Sequence, residues 1–148
     1  MELLEFPKSL YLLDTSFEIL HEQVNEWLSE IAFWRDEAAF LYSLVISKTF
    51  KEVPKNAKDI FEKIEKELIT IVGGELDKLY QELEIHERWL DRLLKGNYQE
   101  EQNYQQQHRK LNQKFNEFEK RFKSLKKEIF KLVGMTQKIT KNKNHRLS

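Results

Sequence analysis

Imidazole and carboxylate groups are the side chains of this sequence best suited to chemistry. Histidines stand at positions 21, 86, 108 and 145. With one chain turn near Val53 and another near Asn97, His21 falls level with residue 85 and His86 with His108. Three imidazoles, one from each of three segments, then share a layer. Glu18, Glu22, Glu82 and Glu87 lie beside them, and Glu82 and His86 share a helix face at four-residue spacing. Imidazoles and carboxylates converging from several helices hold zinc, iron or manganese. His21, His86 and His108 are therefore the candidate metal ligands. Three histidines would leave the open coordination position of a catalytic zinc. A carboxylate-bridged di-iron site needs two Glu-x-x-His motifs and two further glutamates; here only Glu18-x-x-His21 fits. The competing reading has no cofactor: a buried polar layer fixes register and partner number between helices.

Other catalytic signatures are missing. The chain has no cysteine, which excludes disulfides, thiolate metal sites and a cysteine nucleophile. It has no glycine-rich phosphate loop, no Gly-x-Ser-x-Gly elbow and no two-histidine zinc helix motif. The expected class is a non-catalytic helical protein.

The elements that must position these groups are helices. Gly and Pro together are only 6 of 148 residues, too few for folds built on tight turns. The expected fold is all-α: an elongated antiparallel three-helix bundle with coiled-coil-like seams. Residues 1–13 read as an apolar arm, because Pro7 argues against one continuous helix there. The bundle occupies 14–134, with helices at about 15–50, 56–95 and 98–133. A capping box at Thr15 and Glu18 opens the first. Residues 135–148 read as a flexible basic tail that begins where Gly134 stops the third helix, and His145 lies in it.

Apolar residues recur at alternating steps of three and four, the mark of a helical seam. The first seam runs from Phe17 through Trp27 and Trp34 to Val45, and the third from Tyr104 through His108 and Phe118 to Leu132. The second reads Phe61, Ile64, Leu68, Val72, Leu76 and on to Leu93, with two successive steps of four around Gly73-Gly74. Such a stutter locally unwinds a supercoil. Each glycine there costs a helix interior about 1 kcal/mol relative to Ala. Either the helix bends or breaks at the pair, or the glycines make room for the Trp34 indole, which falls level with Val72 to Gly74.

The net charge of zero conceals a division. Residues 1–98 carry 12 Lys and Arg against 20 Asp and Glu, a net of −8, and residues 99–148 carry 13 against 5, a net of +8. A basic third helix lying against two acidic ones accounts for this. Carboxylates at Glu117, Glu119 and Glu128 interrupt the basic run and argue against nucleic-acid binding. No segment has the apolar length of a membrane span, and the acidic N-terminus lacks the basic start of an export signal, so a cytoplasmic protein is expected. The first helix also carries Phe33, Phe40, Tyr42 and Leu44 outside its seam. These form the candidate interaction surface for another protein or a second copy of this chain, since large apolar patches mark interfaces.

Overall fold

In a computed structural model the chain is all-α. The structure describes residues 2–47, 54–96 and 101–147, with side chains at 17–47, 54–96 and 101–134. Helix α1 spans Glu2–Ser47. A 3-10 turn at Lys55–Ala57 leads into α2, Lys58–Thr70. A π-turn at Ile71–Glu75 joins α2 to α3, Leu76–Leu94. Helix α4 spans Glu101–Leu147. The result is a three-helix bundle, with the turn at Ile71–Glu75 separating α2 from α3.

The chain divides into two compact units. Unit 1 is Met1–Ala32 with Asp77–Phe115, and unit 2 is Phe33–Leu76 with Asn116–Ser148. In unit 1, Phe17 meets Tyr104 and Trp27 meets Phe115, so α1 and α4 run the same way. Glu82 meets Lys114, His86 meets His108 and Trp89 meets Tyr104, so α3 runs against α4. In unit 2, Trp34 packs on Phe118 and Phe122, and Glu37 pairs with Lys126 further along both helices.

The seams are the core. Every α1 seam residue from Phe17 to Val45 is buried except the half-buried Leu20, and so is every α4 seam residue from Tyr104 to Leu132. The second seam departs from expectation at one place. Val72 is 42% exposed, and Ile71 takes the core position at 3%. The steps there are three and then five, Leu68 to Ile71 to Leu76, because the non-helical Gly74 interrupts the helical repeat between them. Ile69 and Val72 are left on the outside.

The glycine pair owes nothing to the Trp34 indole. A Cβ built at Gly73 or Gly74 would meet no atom within 4 Å. Backbone geometry explains Gly74 instead: it has φ 152° and ψ −14°, a conformation that L side chains rarely adopt. The helical backbone is interrupted at Gly74, between α2 and α3. Gly96 closes α3 with φ 118°, and its N–H bonds the Leu93 carbonyl. Gly134 does not stop α4, which continues to Leu147. It lacks the positive φ of a terminating glycine, and a helical glycine costs only about 1 kcal/mol.

The N-terminal end also differs from expectation. Helix α1 is already under way at Glu2, so Thr15 and Glu18 do not mark its start. Leu3, Leu4, Leu10, Leu12 and Leu13 are strong helix formers that carry the helix through Pro7. How the expected arm packs, and whether the tail is flexible, concern side chains outside the described residues.

Candidate functional site

Two places in the structure gather chemically distinctive side chains, one in each unit. The first is the histidine layer of unit 1. His86 on the α3 seam is 1% exposed and His108 on the α4 seam is 6% exposed. The protons are assigned from the contact with Gln23 of α1. Its Oε1 accepts from His108 Nε2–H at 2.7 Å, which leaves His108 Nδ1 as a lone pair. His86 Nε2–H donates to that lone pair at 3.0 Å. His86 Nδ1 is left buried with no hydrogen-bond partner.

Aromatic rings enclose the pair. His86 lies flat on Tyr104, with centroids 4.1 Å apart and planes 2° apart. His108 stacks on Trp27 at 4.9 Å. Burial disfavours the charged imidazoles and pushes both down to about 4, the neighbouring His108 adding to the effect at His86. Both rings are therefore neutral at pH 7.

His21 stands apart from this pair. It is half exposed, with Nδ1 on Glu87 Oε1 and Nε2 accepting from Asn25 Nδ2 at 3.2 Å. The Glu87 carboxyl is pushed up by burial, an effect that His21 opposes. Glu87 Oε2 and the Tyr104 hydroxyl are buried without partners, and burial together with Glu87 raises the Tyr104 phenol.

So the three histidines do reach one level of the bundle, but in two separate pairs. Among the described residues no group of three or more His, Cys, Asp or Glu is placed to hold a metal ion. The ring nitrogens of His108 are both engaged, Glu82 is paired with Lys114, and Glu18 and Glu22 are exposed. The expected zinc, iron or manganese ligands therefore do not assemble into a ligand set. His145 lies outside the residues whose side chains are described.

The second place is a face of unit 2. Glu37 of α1 and Lys126 of α4 pair at 2.6 Å and mark the groove between the two helices. Phe33 precedes Glu37 by four residues and Phe40 follows it by three, so all three share one side of α1. Phe130 follows Lys126 by four on α4. Phe33, Phe40 and Phe130 are 61%, 66% and 60% exposed, the most exposed large apolar side chains described. Leu44 continues the α1 stripe and is half-buried. Tyr42 is also half-buried, but points about 140° around the helix from Glu37. The surface expected from sequence thus keeps Phe33 and Phe40, with Leu44 at its edge.

Sequence reasoning missed Gln23 and Phe130. Gln23 sits one residue before the seam residue Val24, a flanking position that faces the neighbouring helix. Phe130 sits beside Ile129, outside the seam; a lone bulky aromatic there was the available signal.

Part of the basic run of α4 is paired with the other helices. Lys114, Arg121 and Lys126 pair with Glu82, Glu75 and Glu37, and Arg121 and Lys126 also lie over the Phe118 and Phe122 rings. Among the described residues no helix is long and apolar enough to cross a membrane. No protein-family model, curated protein or solved structure matches this chain.

Proposed function

We propose that this chain is a non-catalytic helical-bundle protein that acts through protein–protein contact, and that its partner is a second copy of itself. One observation carries the reading: the three most exposed aromatic rings described all lie within one helical turn of Glu37 or Lys126, the residues that pair α1 with α4 in unit 2. Exposed rings clustered on one face favour association, because each loses water-facing apolar area on contact.

Charge supports a second copy as the occupant. On α1, Asp36 lies one turn before Phe40, on the outer face. On α4, Lys123 and Lys127 stand on the turns before Phe130, Lys123 also pairing with Glu119 at 3.8 Å. A two-fold axis through the groove sets the α1 stripe of one protomer on the α4 stripe of its partner. Acidic then meets basic twice, as a self-complementary interface requires. Sedimentation equilibrium over micromolar concentrations tests this: the wild-type mass rises toward twice the monomer, and Phe40→Glu holds it at the monomer. A wild type that stays monomeric at every concentration refutes it.

A further inference from the structure

The self-association surface makes no use of the buried imidazoles of unit 1, and their arrangement has a consequence of its own. Between them, His86 and His108 have two N–H groups. One is donated to Gln23 and the other crosses from ring to ring. The chain of donors runs one way and holds no spare acceptor for a further proton except His86 Nδ1, which is buried and unpartnered. We propose that the His86–His108 pair is an acid-operated latch on unit 1: a proton on His86 Nδ1 buries a positive charge, a proton on His108 Nδ1 removes their shared contact, and the α1, α3 and α4 segments then part at this layer.

The chemistry differs for the two rings. A proton on His108 Nδ1 sets two N–H groups against each other across 3.0 Å. A proton on His86 Nδ1 creates a cation stacked on Tyr104, inside the bundle. The groups facing the pair offer little relief. Gln23 of α1 is neutral and already accepts from His108. His21 of α1 is bound to Glu87 of α3. The Tyr104 phenol of α4 is neutral, and Glu82 of α3 is held by Lys114 of α4. Of these groups Glu87 Oε2 and the Tyr104 hydroxyl are bare, and burial already favours the protonated form of the Glu87 carboxyl.

The direction follows from linkage. Each imidazole titrates at 6.5 in its ordinary state and at about 4 when buried here. The unfolded chain therefore takes up protons first. Stability is fully present above pH 6.5 and is lost as pH falls toward 4. At pH 5 each ring lowers the folding constant about 30-fold, or about 10³-fold for the two.

The test compares urea unfolding of the wild type and of the His86→Phe/His108→Phe variant at pH 7.5 and pH 5. Phenyl rings keep the stacking on Tyr104 and Trp27 and remove both protonation sites. The wild type should lose about 10³-fold more of its folding constant than the variant over this interval. Equal losses overturn the latch. If the variant does not fold, the wild-type imidazoles are followed by NMR together with hydrogen exchange of the unit 1 amides. Midpoints near 4, with unit 1 exchange rising as the rings protonate, support the latch. Midpoints near 6.5, or exchange that ignores the titration, overturn it.

Discussion

Adjacent glycines between α2 and α3 should respond in opposite directions to the same substitution. Gly73 and Gly74 both lie in the π-turn, and a Cβ at either would meet no atom within 4 Å. Steric crowding therefore drops out of the comparison, and only backbone conformation remains. Gly74 has φ 152°, where an L side chain is strained, and holding a non-glycine residue in a sparsely populated region costs about 1–3 kcal/mol. Gly73 has no positive φ, so alanine there only reduces the freedom of the unfolded chain and stabilises by about 0.4–1 kcal/mol. Gly74→Ala should then lower stability and Gly73→Ala should raise it, with about 1–3 kcal/mol between them, since the effect on the unfolded chain is common to both. For a chain of this length each kcal/mol moves Tm by about 2–4 °C. Urea and thermal unfolding of the two variants against wild type measure both signs. Equal effects of the two substitutions, or a stabilised Gly74→Ala, would refute the account of the interruption at Gly74.

Three further outcomes follow from the core and its rim. Trp34 is 3% exposed and packs on Phe118 and Phe122, so Trp34→Ala should cost about 3–5 kcal/mol by urea unfolding. Tyr104→Phe removes a buried hydroxyl that has no partner, so it should leave stability unchanged or raise it by about 1 kcal/mol, read by the same melts. Glu37→Gln breaks a partly exposed ion pair and should cost no more than about 1 kcal/mol, a loss that shrinks in high salt.

Most of the fold is legible in the sequence because a seam must be apolar to be buried. Steps of three and four from Phe17 to Val45 and from Tyr104 to Leu132 mark the core almost residue for residue. Short connections then bring His86 level with His108 and Trp34 level with Phe122. The stutter at Leu68 and Leu76 is visible too, but its resolution is not. A spacing of eight divides as four and four in a continuous α-helix, or as three and five across an interruption, and Gly74 selects the second through its backbone. Helix ends are the least legible feature. Thr15 resembles a cap and Gly134 a stop, yet neighbouring helix formers carry the backbone through both. The histidine layer is legible as a level but not as chemistry. Whether three imidazoles converge on one point or divide into pairs depends on which side of each helix they occupy, and Gln23 and Glu87 take up the nitrogens a metal would need.

Phe130 shows the same limit at the surface. Its exposure matters only because it lies one turn from Lys126, whose partner Glu37 stands within a turn of Phe33 and Phe40. Self-association through the groove between α1 and α4 of unit 2 is the central claim, and paired charge substitutions test it most directly. Phe40→Glu and Phe130→Lys are each prepared alone and then mixed, with mass read by sedimentation equilibrium beside the wild type. The claim predicts a wild-type dimer, monomers for each variant alone, and a restored dimer in the mixture. There the introduced carboxylate of one chain meets the introduced ammonium of the other, and the remaining Phe40 and Phe130 meet across the two-fold. A wild type that remains monomeric, or a mixture that does, would contradict it.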